Sequence, residues 1–240
     1  MVQAQYKTPQ KPGLTILGTR SHCGKTVVTS GISGFLHEEG LNIQVFKPLS
    51  LAPKTSIDSE LLFLSKVSKT ENNYPTIYIE SQHSLTKHQW HEAVRLCQAG
   101  VEPSLIELPG GCASPLLFSD EGALSWLDCS DFALELGFPC LLVANYDALM
   151  LEQIVLSSNY LLNRGLDVLG IVVSCTTLPT MPSTLADSLT MSLQEKTTIP
   201  FLGYLEHSAS INVPLVNQGN VIKTTSNGVD LLPIIKRFAL

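Results

Sequence analysis

Apolar residues are arranged in two ways along this chain of 240 residues. Short continuous runs at positions 14–18, 43–46, 105–108, 140–144, 168–173 and 200–205 have the length and β-branched content of buried strands. Between them, apolar residues recur every three or four positions. Val27, Ile32, Phe35 and Leu36 do so first, and the stretches 57–68, 88–99, 125–137, 149–164 and 182–195 follow. That spacing predicts helices. Gly40 falls where the first helix should close, at the position after its C-cap. Strands thus alternate with helices almost throughout, the pattern of a parallel sheet covered on both faces. Ligands of such sheets sit beyond the carboxyl ends of the strands, so chemistry-bearing residues are expected there.

With 44% hydrophobic and 15% charged residues, positions 13–240 are expected to bury one core as a single domain. Residues 1–12 are polar, contain two prolines and lack the apolar segment of a signal peptide, and read as a flexible leader. No apolar run approaches the ~18 residues of a membrane span. The net charge of −6 argues against a broad cationic surface for nucleic acid or anionic lipid. A cytoplasmic protein with a small-molecule ligand, and no nucleic-acid or membrane partner, is expected. The six cysteines form no C-x-x-C pair and are expected to be reduced core fillers. Neither they nor the six histidines fall at zinc-ligand spacing.

The first strand and first helix are joined by Gly18-Thr19-Arg20-Ser21-His22-Cys23-Gly24-Lys25-Thr26. Backbone N–H groups at a helix start have no intrahelical acceptor, and the helix dipole adds positive potential, so such a loop cradles phosphate. In this reading Thr19, Ser21, His22, Cys23, Gly24, Lys25 and Thr26 hold a nucleotide. Lys25 reaches its terminal phosphates and the Thr26 hydroxyl binds magnesium. Gly18 lies one residue farther from Gly24 than the usual G-x-x-x-x-G-K-[ST] spacing. The predicted α/β fold is therefore P-loop NTPase-like, a parallel sheet with helices on both faces.

Magnesium takes oxygen ligands and usually one or two carboxylates besides phosphate. Glu107 ends the strand at 105–108, where a charge without a partner would be costly. Asp58 opens the helix at 57–68, and serves equally as a metal ligand or as a negative charge favoured by the helix dipole. Lys47, at the end of the second strand, is either a surface lysine or a cation facing the loop.

Taken in order, these residues resemble the dethiobiotin synthetases. Gly18-Thr19 through Gly24-Lys25-Thr26 matches that family's longer-spaced loop, and Phe46-Lys47-Pro48-Leu49 its aromatic-Lys-Pro-Val strand end. Asp58 looks like its magnesium aspartate, and Ile106-Glu107-Leu108-Pro109-Gly110-Gly111 like its Val-Glu-Gly-Ala-Gly-Gly motif. Ser81-Gln82-His83 is similar to its Ser-Pro-His segment, and the run 200–205 to its final Pro-x-x-Gly strand. The resemblance spans about residues 14–210. It implies a homodimer that uses ATP and Mg2+ to close a cyclic urea on 7,8-diaminononanoate with carbon dioxide, in biotin biosynthesis. Lys25 and Lys47 would be catalytic, Thr26, Asp58 and Glu107 would hold the metal, and Ser174 would lie at the adenine. Ser21, Lys47, Leu51, His83, Met150 and Leu151 would contact the organic substrate.

Departures from the family fall on that substrate. Leu51 and Ala52 replace a serine-glycine pair, Arg20 an aspartate, and Ser174-Cys175 an asparagine-led pair. The Gly-x-Ile-Asn-His helix start that takes the substrate carboxylate corresponds to Leu149-Met150-Leu151-Glu152-Gln153, where Glu152 opposes anion binding. Two further readings stay open. One is a catalytically altered nucleotide-binding or regulatory protein of the same fold. The other is a related amidotransferase-like or partitioning ATPase; the partitioning kind usually carries an extra lysine early in the loop, and Arg20 is not that residue.

Overall fold

A computed structural model describes residues 11–51, 54–70, 75–79, 85–118, 125–177 and 181–238, with backbone only at 54–57. His83 and the first ten residues of the leader lie outside the described residues. The central sheet is parallel and six-stranded. Its strands are β1 (Gly13–Gly18), β2 (Gln44–Phe46), β5 (Ser104–Glu107), β8 (Cys140–Asn145), β9 (Val168–Ser174) and β10 (Phe201–Leu205), in the order β10-β9-β8-β1-β5-β2. These are the six apolar runs of the sequence. Two pairs of short strands lie outside the sheet. β3 (Leu49–Ser50) pairs in parallel with β4 (Ile77–Tyr78), and β6 (Pro115–Phe118) pairs antiparallel with β7 (Trp126–Asp128).

The strand period of two sends alternate residues to opposite faces, and this builds two cores. Leu14, Ile16, Leu105, Leu141, Val143 and Val172 pack under α1 (Lys25–Glu38), α2 (Lys54–Ser68) and α8 (Leu232–Phe238). Leu17, Ile106, Leu142, Ala144, Ile171 and Val173 pack under α3 (Lys87–Gln98), α4 (Cys129–Leu136), α5 (Met150–Asn163) and α6 (Ser183–Thr197). On the second face Trp90 and Phe132 meet edge-on, with ring centroids 4.9 Å apart. The remaining helix, α7 (Val221–Gly228), packs on α1.

The expected helix at 125–137 starts late. Residues 126–128 are β7, and α4 begins at Cys129 because Asp128 caps it, accepting N–H bonds from Ser130 at 2.8 Å and Asp131 at 3.1 Å. All six cysteines are free and buried, as expected. No helix among the described residues is long and apolar enough to cross a membrane.

β1 sits between β8 and β5, so the loop leaving it emerges where three neighbouring strands end. β5 carries Glu107 to that edge in register with Ile16, two residues before Gly18. β2 pairs with the other side of β5 and ends at Phe46, immediately before Lys47.

Candidate active site

The loop after β1 is held open by backbone geometry. Gly24 takes a φ of 92° at the N-cap of α1, and a Cβ there would collide with the Ser174 side chain. Only glycine satisfies both conditions. His22 also adopts a left-handed conformation, with φ of 57°. Cys23 turns inward and its Sγ lies 3.2 Å from the Val143 carbonyl, fastening the loop to β8. The Thr19 hydroxyl donates to Gln153 Oε1 of α5 at 3.3 Å.

Ser21, His22, Gly24, Lys25 and Thr26 line an open cavity of about 540 Å3, whose opposite wall includes Lys47 and Glu107. Within it the charged groups converge. Lys25 is buried, and its ammonium donates to the carbonyls of Gly110 at 2.6 Å and Arg20 at 3.3 Å. The Thr26 hydroxyl donates to Glu107 Oε1 at 2.8 Å. Lys47 Nζ stands 2.5 Å from the same Oε1, 2.5 Å from Glu60 Oε2 and 3.4 Å from Thr26 Oγ1. Gly111 lets the segment after β5 lie against the loop after β1, since a Cβ there would come within 2.8 Å of the Thr19 carbonyl oxygen.

Burial opposes ionisation of both partners, yet each keeps its charge. Desolvation pulls the Lys47 pKa down, but the Glu107 and Glu60 carboxylates outweigh it and hold the group above the ordinary lysine value. Desolvation pushes Glu107 up, and Lys47, followed by Lys25 and Thr26, brings it below the ordinary carboxylate value. The second carboxylate oxygen, Glu107 Oε2, is buried without a hydrogen-bond partner among the described residues. An orphan anionic oxygen beside a hydroxyl and a second carboxylate is a set of hard donors, which suits magnesium.

The other sequence candidates divide. Leu51 lines the cavity and is 39% exposed. Ser174 is buried behind Gly24 and does not line the cavity. Met150 belongs to the core, whereas Leu151 is exposed and away from the cavity. Asp58 faces outward, where its Oδ1 accepts a 3.5 Å bond from the Tyr78 hydroxyl, and the α2 carboxylate that enters the site is Glu60. Helical phase held the signal for this. Glu60 lies three and four residues before Phe63 and Leu64, both buried, while Asp58 shares its stripe with exposed Leu62 and Lys66.

Asp147 was not anticipated. Its Oδ1 accepts the Leu149 N–H at 2.9 Å and its carbonyl accepts the Met150 N–H at 3.1 Å, a turn leading into α5, whose N-cap Leu149 supplies no side-chain cap. Its Oδ2 accepts from Asn145 at 3.1 Å and pairs with Arg20 of the loop. Burial pushes the Asp147 carboxyl up, but the Asn145 and Leu149 hydrogen bonds and the Arg20 charge bring it below its ordinary value. Val213 and Pro214, from the segment after β10, also line the cavity; their apolar side chains gave no chemical signal in the sequence.

Over 182 residues the chain is 25% identical to the ATP-dependent dethiobiotin synthetase BioD of Bacillus velezensis, covering 66% of this chain and 72% of that one. Over 219 residues it is 26% identical to the BioD of Halalkalibacterium halodurans, covering 84% and 87%. Among solved structures, the fold is similar to MinD in the MinC:MinD cell division complex of Aquifex aeolicus, with a TM-score of 0.57, 12% identity and coverage of 94% and 93%. It is also similar to the septum site-determining protein MinD of Pyrococcus horikoshii, with a TM-score of 0.53, 14% identity and 95% coverage of both chains. The model of the AAA domain family AAA_26 matches residues 12–214, and the chain belongs to that family.

Proposed function

We propose that this protein is an ATP-dependent cyclo-ligase of the dethiobiotin synthetase type. The observation that carries the reading is the convergence of Lys25, Thr26, Lys47 and Glu107 on one cavity at the strand ends, with Lys47 Nζ 2.5 Å from Glu107 Oε1. BioD proteins of similar length that match most of the chain support it.

In this reaction one amine of 7,8-diaminononanoate takes up carbon dioxide as a carbamate. A carbamate oxygen attacks the γ-phosphorus of ATP and ADP leaves. The second amine then attacks the carbonyl carbon, phosphate departs, and the cyclic urea closes. No protein nucleophile is needed, so catalysis rests on positioning and on charge. Lys25 and Lys47 offset the negative charge that develops on the transferred phosphoryl group and the carbamate. Backbone N–H groups from Ser21 to Gly24 hold the phosphates, and Leu51 bounds the space for the aliphatic substrate. Thr26 and Glu107, with Glu60 in the position anticipated for Asp58, would hold magnesium, which supplies further neutralisation of phosphate charge. A homodimer fits the exposed leucines at the start of and along α5, Leu149, Leu151 and Leu156.

One observation favours a second reading, an altered acceptor. The start of α5, a seat for the substrate carboxylate in the resemblance, already receives Asp147 and carries Glu152 in its first turn. ADP release from ATP and bicarbonate, measured with and without diaminononanoate, separates the two. Stimulation by the diamine supports the ligase; equal rates in its presence and absence reject it in favour of the altered acceptor.

A further inference from the structure

Three oxygens suited to a divalent cation surround the Lys47 ammonium. Glu107 Oε1 and Glu60 Oε2 each stand 2.5 Å from Nζ, and Thr26 Oγ1 stands 3.4 Å away. We propose that Lys47 and the divalent cation are alternative occupants of this one seat. The free protein then carries its own counter-ion, and the cation enters only with a nucleotide whose phosphates take the lysine over. This rests on the nucleotide-binding part of the function proposed above, and assigns Glu60 as the residue that positions Lys47 before exchange.

The charge balance requires such an exchange. Glu60 and Glu107 are offset by Lys47 and by Lys25, whose ammonium is satisfied by two carbonyls instead of a carboxylate. A cation added while Lys47 remains would place three positive charges on oxygens that one ammonium already binds, in a site where the Glu107 side chain is only 1% exposed. Removing Lys47 alone would leave two facing carboxylates. Phosphates supply the missing negative charge, so lysine transfer and cation entry are coupled.

The backbone permits it. The Lys47 carbonyl accepts the Thr76 hydroxyl at 2.7 Å and Pro48 has a fixed φ, so the strand end is held and the exchange is a rotation of the four-carbon side chain about its own bonds, away from Glu60 and Glu107. Lys47 lines the same cavity as the loop residues that would hold the phosphates, so the ammonium and the phosphates would share one space. Glu107 Oε2, buried without a partner among the described residues, is a donor that the lysine leaves unused.

The test is Mn2+ binding to the full-length protein followed by electron paramagnetic resonance, with no nucleotide present. Wild type should bind Mn2+ at least tenfold more weakly than Lys47→Met, and Glu60→Gln added to Lys47→Met should abolish the gain. Equal affinity in wild type and Lys47→Met would overturn the proposal. Because Lys47→Met could fail to fold with two facing carboxylates, Glu60→Gln alone gives an independent reading, with the fluorescent analogue mant-ADP as probe. Releasing half of the lysine's hold should tighten mant-ADP severalfold in EDTA and weaken it severalfold in magnesium. Shifts in the same direction, or none, would count against the shared seat. Should wild type bind no mant-ADP under either condition, nucleotide binding fails, while the Mn2+ comparison still decides who occupies the seat.

Discussion

Among the described residues the Lys25 ammonium donates to two carbonyls, of Gly110 and Arg20, and its removal takes away charge without opening the hydrophobic core. Lys25→Ala should therefore stay folded and lose about 10²-fold or more in turnover, the scale for a group that stabilises transition-state charge. Steady-state ADP release with circular dichroism as the folding check measures this, and near wild-type turnover in a folded variant would remove the loop from catalysis. Glu107 adds a pH signature. Its pKa lies below the ordinary 4.5, so its contribution to stability is present above that value and is lost as pH falls through the folded-state pKa. Glu107→Gln should cost on the order of 3 kcal/mol near neutrality and lose less stability below pH 4.5 than wild type, read from urea midpoints across the acid range. Gly24 is a purely structural test. Gly24→Ala meets both a left-handed backbone and the Ser174 side chain, and should cost about 2 kcal/mol or more. Adding Ser174→Gly should return the steric part and leave the backbone part.

At the scale of elements, what was legible depended on how much of each element is core. All six sheet strands stood out because β1 and β8 are buried along their whole length, and a continuous apolar run needs no knowledge of its neighbours. β7 was hidden inside a helical pattern because its Trp126 and Leu127 are exposed and its pairing with β6 is a non-local fact. The loop lysine, Thr26, Lys47 and Glu107 were readable from motif order. Residue type alone singles out Asp58 in the motif, whereas the phase of α2 points inward at position 60, where Glu60 meets Lys47. Asp58→Asn should accordingly leave the magnesium dependence of activity unchanged, while Glu60→Gln raises the half-saturating magnesium concentration severalfold. The reverse result would return the metal role to Asp58. The start of α5 presents the matching problem for the organic substrate. With Asp147 already accepting the Leu149 N–H, Asp147→Ala should cost about 1 kcal/mol for the lost hydrogen bond yet lower the Michaelis constant for diaminononanoate, provided the substrate carboxylate docks at that helix. A constant that stays level or rises would show that the carboxylate is bound elsewhere.

For the molecule as a whole, the sheet order accounts for why residues so far apart in the chain act together. β1 at the centre, β5 beside it and β2 at the edge deliver the loop, Glu107 and Lys47 to one end, and α2 adds Glu60 from the helical layer. That scaffold is shared with MinD structures at 12–14% identity, so the fold alone does not choose a reaction. The choice rests on the residues at the strand ends, and the most direct check is the product itself. Purified protein is incubated with ATP, magnesium, 7,8-diaminononanoate and 13C-bicarbonate, and dethiobiotin is sought by mass spectrometry. The account predicts dethiobiotin one mass unit heavier than the unlabelled compound, formed one for one with ADP and lost in Lys25→Ala. ADP formation without labelled dethiobiotin would contradict it.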